Sequence, residues 1–476
     1  MLMGRMSPPP STVAPPGVDA ATAAPAPAPQ GPRASRFSPF DRALALIAAG
    51  GFALRLVIIL GFKQGLDACG RELCGDALWY SSSAQTVAAG GGFENRLNAV
   101  PPYSPAADHP PLTTLLMAPT KLFFLRDSVL AQRIGMALLG TVAIVLVGLL
   151  THRLAGSRAA LLAAGLAALN PNFWMNDVIV MSETVGTVAM LAVLLLVYRF
   201  VDRPSLARIA WVGVACGFAG LARAELLLFL PVTVVPVVLL ARSIPVPARL
   251  GRIAVAGGTA LLVLVPWTLY NAPRFEKPVL MSTNDGITLL GANCDPVYGV
   301  DGAGGVGFWN LGCTYPVAER IPPGADQSVV SSYYRDAGIQ YIKDHKRLVP
   351  GVVGTRIVRG FGFFGPDQMV WLNEGEGRDR WASWAGFIMW WVMLVPAVAG
   401  VVALRRRRVP LWPLLSTFVI VLITLTVFYG IVRFRLPADI AVVVLAGVGL
   451  DAYVLRPRRR RAPAGVPDPV AATGSA

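Results

Sequence analysis

Long apolar runs separated by short polar breaks fill the chain from about residue 43 onward. Ten of them are long enough, or nearly so, for a helix that needs about 20 residues to cross the hydrocarbon of a bilayer. They lie at approximately 43–62, 128–150, 157–174, 180–200, 207–222, 225–241, 253–270, 384–404, 409–430 and 436–455. The pattern predicts an all-α polytopic membrane protein with about ten transmembrane helices. Threading them from a cytoplasmic N-terminus puts Arg153 and Arg158, Arg203 and Arg208, and then Arg242, Arg249 and Arg252 on the cytoplasmic side. That is where the positive-inside rule wants them. An eleventh apolar run, Pro111 to Leu125, would reverse this agreement if it crossed. It is therefore expected to be a juxtamembrane or re-entrant helix on the outer side, covered by protein or by a water-filled cavity.

The same threading leaves two large outer segments, residues 63–127 and 271–383, which are too polar to span and too long to be mere connectors. Each is expected to carry juxtamembrane helix: residues 76–89 in the first, and an amphipathic stretch from Ser331 to His345 in the second. Flanking the expected transmembrane domain, 42–455, residues 1–41 are rich in Pro and Ala with no apolar signal-peptide core. They read as a disordered cytoplasmic tail, and residues 456–476 as a basic cytoplasmic one.

Composition agrees, since 54% hydrophobic and 14% charged residues, with a mean hydropathy of +0.57, cannot form one water-soluble surface. A net charge of +15 raises the question of nucleic acid. Its arginines argue against that partner, because two blocks, Arg405 to Arg408 and Arg456 with Arg458 to Arg461, each follow an apolar span directly. Of the five cysteines, Cys69 and Cys74 share the first outer segment, Cys294 and Cys313 the second, and Cys216 lies inside a span. Two local disulfides in an oxidising exterior are the expected pairing, with zinc the weaker alternative.

Polar residues without an obvious structural duty collect on the outer side. Gly75-Asp76-Ala77-Leu78-Trp79-Tyr80 places Asp76 and Tyr80 on one helical face. Asp76 is read either as a helix cap or as a carboxylate able to take a proton from a hydroxyl or amine. Asp108-His109-Pro110-Pro111-Leu112 reads as a corner with a solvated imidazole, or as an imidazole beside a helix N-terminus that binds phosphate. Asp177 reads more as a solvated turn residue and Glu183 as an acid at the start of a span. Arg133, Arg223, Arg433 and Arg435 lie at outer mouths of spans, with Tyr429 nearby. They either snorkel to lipid headgroups or clamp a phosphate.

The ordered series resembles the membrane-embedded GT-C glycosyltransferases, in particular the protein mannosyltransferase and aminoarabinose transferase branch, from about residue 43 to 455. It consists of Asp76 and Tyr80 after the first span, His-Pro-Pro-Leu at 109–112, Ala131-Gln132-Arg133, Ser182-Glu183, Gly220-Leu221-Ala222-Arg223, Pro266-Trp267 with Asn271, and Arg433-Phe434-Arg435-Leu436-Pro437. The resemblance implies a polyprenyl phosphate sugar donor and inverting transfer to an acceptor on the extracytoplasmic face of the cell membrane. It implies Asp76 as the base, Glu183 as a second acid that holds or orients the acceptor, and His109, Arg223 and Arg433 as partners of the leaving phosphate. Tyr80, Arg133, Tyr429 and Arg435 complete the expected substrate contacts. A metal held by Asp76, Asp108 and His109 is the alternative to a branch that is usually metal-independent, so no metal or other cofactor is expected. Two departures stand out. The aminoarabinose transferases carry a lysine where His109 stands, and the mannosyltransferases an acidic pair where Asp76 is followed by Ala77. The rival reading is a transporter or flippase for a lipid-linked saccharide, against which no internal repeat is evident.

Overall fold

The computed structural model describes residues 38–67, 69–95, 104–120, 129–300 and 305–454. Both expected tails lie almost wholly outside these residues. Helix α1 (Pro39–Phe62) is followed by α2 (Gly75–Ala88), a two-residue antiparallel pair (Glu94–Asn95 with Ser104–Pro105) and a short α3 (Leu112–Met117). Next come α4 (Val129–Ala155), α5 (Ser157–Leu169), α6 (Pro171–Asp177), α7 (Ser182–Asp202) and α8 (Leu206–Ala222). The segment Ala224–Leu239 begins as a 3-10 turn, widens to a π turn and ends as α-helix. After α9 (Val246–Asn271), the second outer segment contributes α10 (Asp285–Gly291), α11 (Gln327–Asp344), α12 (Val349–Gly360) and α13 (Pro366–Gly375). The chain closes with α14 (Arg380–Arg406), α15 (Trp412–Val427) and α16 (Leu436–Gly449).

Among the described residues, six helices are long and apolar enough to cross a membrane, the last running Val432–Val454, and four shorter apolar ones accompany them. The chain is a multi-pass membrane protein. The apolar run at 157–174 is interrupted because Asn170 leaves the helix and its side chain accepts a hydrogen bond from Asn172 N at 3.0 Å, capping α6 with Pro171 at its first position. The run after Pro111 forms only the six residues of α3, and residues 121–128 lie outside those described.

Helix α16 is buried along its whole length, as expected of a helix that is apolar all round. In lipid, apolar burial alone drives little association, so close approach matters. A Cβ on Gly447 would stand 2.7 Å from Ala163 N, and one on Gly400 2.0 Å from the Leu445 carbonyl, which fixes α5 and α14 tightly against α16. At the periphery, α9 exposes Leu250, Leu261, Leu262 and Leu269, a surface suited to lipid.

The two outer segments meet each other. Thr283 N donates to the Ala107 carbonyl at 2.8 Å, and Gln327 Nε2 to Asp108 at 2.9 Å. At the end of α1, Lys63 Nζ donates to the Gly377 carbonyl at 2.7 Å. Disulfides join Cys69 to Cys74 and Cys294 to Cys313, while Cys216 is a buried free thiol.

Candidate functional site

Helix α2 begins directly after the Cys69–Cys74 bridge, with Cys74 at the cap position and Asp76 in the first turn. Asp76 is thus not the cap itself. Its helix buries Ala77, Tyr80 and Ala84, so Asp76 is held at the edge of the core. Asp108 braces the following corner by accepting from Trp79 Nε1 at 3.1 Å and from Gln327. That brace swings His109 over α2, where its ring lies 4.8 Å from Trp79 and 4.9 Å from Tyr80. His109 Nε2 stands 3.6 Å from the Asp76 carboxylate. A six-residue α3 starting at Leu112 leaves His109 a partner of Asp76 more than of a helix N-terminus.

Three other turns bring charge to the same place. Arg223 leaves α8 in an extended conformation, with Nη1 2.6 Å from Glu183 and Nε 2.6 Å from Glu225. Arg433 sits in a 3-10 turn, with Nη2 2.7 Å from Asp76, Nη1 2.9 Å from Glu376 and Nε 3.7 Å from Glu183. Arg378 in turn pairs with Glu376 and donates to Asn176 Oδ1 at 2.8 Å. Burial would raise the Asp76 carboxyl, but Arg433 and His109 prevail and hold it well below the usual carboxylate range. Burial raises both phenols, Tyr429 to about 12 and Tyr80 further. Both are therefore neutral hydrogen-bonding groups near pH 7.

An open-sided cavity of about 690 Å³ lies over these groups. Asp76, Tyr80, His109, Arg223, Tyr429 and Arg433 line one side, while Ser282, Asn284, Asp285 and Thr288 of the second outer segment line the other. One wall carries ion-paired arginines and carboxylates, and the other bears hydroxyl and amide groups together with one carboxylate, Asp285; guanidiniums on the first can fork onto an anion and the polar groups of the second can hydrogen-bond a polyhydroxy group.

Three residues singled out in the sequence stand elsewhere. Glu183 is fully buried behind the arginines and does not line the cavity; its carboxylate faces Arg223 and Arg433. Arg133 spends its guanidinium on the carbonyls of Lys63 and Glu72, stitching the first outer segment to α4. Arg435 is turned away from Arg433, because residues two apart in a 3-10 turn point about 120° apart. It pairs with Asp439 at 3.3 Å, donates to the Phe361 carbonyl and lies 4.0 Å over Trp390.

Asp177 is no solvated turn residue. It is buried, accepts from Thr184 Oγ1 at 2.7 Å and pairs with Arg55 Nε at 2.6 Å inside the bundle. The pair pins the turn in which Val180 takes the left-handed conformation (φ 63°), immediately before Ser182-Glu183. Sequence reasoning missed Glu376 and Arg378, which lie in a polar run that reads as outer-segment surface. Gly375 and Gly377 on either side of Glu376, the latter at φ 85°, were the available sign of a constrained turn. Among the described residues, no group of three or more His, Cys, Asp or Glu is arranged to hold a metal ion.

The sequence model described as dolichyl-phosphate-mannose-protein mannosyltransferase matches residues 108–270, about a third of the chain. No curated protein matches. Among solved structures, the oligosaccharyltransferase of Archaeoglobus fulgidus, tethered to an acceptor peptide, is similar at a TM-score of 0.51 and 15% identity, over 87% of this chain and 49% of its own. ArnT from Cupriavidus metallidurans, bound to undecaprenyl phosphate, is similar at a TM-score of 0.42 and 17% identity, over 86% of this chain and 77% of its own. The chain thus spans about half the length of the oligosaccharyltransferase, and what the two share is the fold, the GT-C-type helical membrane architecture expected from the sequence.

Proposed function

We propose that the protein is a membrane glycosyltransferase that moves a hexosyl or pentosyl group from a polyprenyl phosphate donor to an acceptor on the extracytoplasmic face, with inversion. The observation that carries this reading is the cavity in which a carboxylate, Asp76, stands beside two carboxylate-held arginines, Arg433 and Arg223. Asp76 takes the proton from the acceptor hydroxyl or amine as that atom attacks the anomeric carbon. The bond from that carbon to the phosphate oxygen breaks, and the polyprenyl phosphate leaves with the bonding pair. Arg433 and Arg223 offset its charge in a site partly shielded from water, where fixed positive charge acts most strongly. Attack and departure on opposite faces invert the centre. Tyr80 and Tyr429 offer neutral hydrogen bonds to the substrates, and Glu183 acts through the arginines as a positioning residue.

The arginine-rich connections support an orientation with both termini in the cytoplasm and the cavity outside. The acceptor, whether glycan, lipid or protein, meets the second outer segment, and the two departures at His109 and Ala77 leave its class to experiment. A test incubates the purified protein in lipid vesicles with a panel of labelled polyprenyl phosphate sugars and membrane acceptors. Label appearing in the acceptor supports transferase activity. Movement of the intact labelled lipid across the vesicle without any transfer would establish the flippase reading in its place.

A further inference from the structure

The arginines that line the cavity are already engaged. Asp76, Glu183, Glu225 and Glu376 are linked by ion pairs to Arg223, Arg378 and Arg433, so the carboxylates in this network outnumber the guanidiniums. A phosphate that pairs with Arg433 must therefore dislodge a carboxylate or sit against uncompensated negative charge. The three acids around Arg433 differ in their freedom to leave. The Glu183 side chain is 0% exposed, that of Glu376 is 17% exposed and tied also to Arg378, and that of Asp76 is 30% exposed. Asp76 alone of the three has His109 beside it, at 3.6 Å, as a second partner.

We propose that a phosphate group entering the cavity takes the Nη2 edge of Arg433 from Asp76, and that Asp76 turns to His109. This inference rests on reading the cavity as a prenyl phosphate sugar site. Donor binding then releases the base, so the donor binds before the acceptor is activated. The direction of the Asp76 pKa agrees. Against the raising effect of burial, Arg433 is the foremost group holding the carboxyl low, so loss of that partner, with an anion in its place, strengthens Asp76 as a base. His109 becomes a positioning residue for Asp76. Its ring is held against Trp79 and Tyr80, which fixes where the released carboxylate goes.

The test is equilibrium binding of two probes, a short-chain prenyl monophosphate and inorganic phosphate, to detergent-purified wild type, Asp76→Asn and Arg433→Gln, with melting midpoints recorded for each. Removing the competing carboxylate should tighten binding of both probes about fivefold, as expected for loss of one part-exposed ion pair. A direct contact from Asp76 to the phosphate predicts weaker binding in both Asp76 variants, and mere relief of repulsion predicts a gain that does not depend on His109. Asp76→Ser must behave in the same direction, which covers the case of an Asn variant that fails to fold. Wild-type or weaker affinity in folded Asp76 variants would overturn the exchange. A gain for the prenyl probe alone would also overturn it, because only the headgroup is exchanged. In His109→Phe, which keeps a ring between Trp79 and Tyr80, binding should weaken, and the added Asp76→Asn should cancel the loss; additive effects contradict the role given to His109. Arg433→Gln should bind both probes at least about tenfold more weakly. Unchanged affinity in that variant refutes the donor site itself and not merely the exchange.

Discussion

Replacing Asp177 by Asn removes one negative charge from the interior of the helix bundle while keeping the oxygen that accepts from Thr184. Arg55 is 1% exposed and has the Gly51 carbonyl at 3.0 Å and the Ala168 carbonyl at 3.4 Å as its remaining partners. Carbonyl dipoles do not replace a carboxylate at 2.6 Å in a low-dielectric interior. Breaking a buried pair on one side costs about 3–5 kcal/mol. The expected outcome for Asp177→Asn is a loss of that size, read by denaturant titration in mixed micelles with tryptophan fluorescence. Arg55→Met combined with Asp177→Asn removes both charges and retains the Thr184 hydrogen bond, so it should recover most of the loss. Asp177→Asn with wild-type stability, or a double variant no better than the single, would refute the claim that this pair fixes the α6–α7 turn.

Gly140→Ala should destabilise by about 1–3 kcal/mol, because its Cβ would stand 2.1 Å from Asp177 Oδ2, whereas Gly165→Ala, which meets nothing within 4 Å, should stabilise by about 0.5–1 kcal/mol. Equal melting shifts for the two alanines would contradict this. Cys294→Ser with Cys313→Ser opens a loop closed by residues 19 apart and should lower stability by about 3 kcal/mol, with no loss on adding reductant to the variant. Asp326 caps α11, accepting from Ser328 N at 2.8 Å and Val329 N at 3.0 Å, and also from Glu276 N at 2.6 Å. Burial works against it, but the Ser328 hydroxyl, which donates to it at 2.6 Å, and these backbone donors lower its carboxyl pKa, so its contribution is present above the ordinary value of about 3.9 and is lost as pH falls through the lowered one. Asp326→Ala should therefore cost about 1–2 kcal/mol, constant between about pH 8 and 5, with the gap closing in stronger acid.

The helices were legible because lipid-facing and buried spans leave long apolar runs, and the charge at their ends is biased toward one side. Asp76 and His109 were legible as chemistry, although not their contact, since 33 residues separate them and Asp108 supplies the brace through Gln327 of the other segment. Arg433 and Arg435 look alike in sequence. Only the 3-10 turn separates them, sending one to the cavity and the other to Asp439. Glu183 and Asp177 could not be ranked from an apolar pattern, because both are acids at the end of a span. Their partners decide, Arg223 and Arg433 for one and Arg55 for the other. Glu376 was hidden because a charged residue in a long polar segment has no periodicity to betray burial.

As the base of a glycosyl transfer, Asp76 must be needed for the chemical step itself. The direct measurement compares single-turnover transfer from a labelled polyprenyl phosphate sugar by wild type and Asp76→Asn, both purified, folded and saturated with donor. Product formation in Asp76→Asn should be slowed by about 10²- to 10⁴-fold with donor still bound. Transfer undiminished in Asp76→Asn would contradict that role.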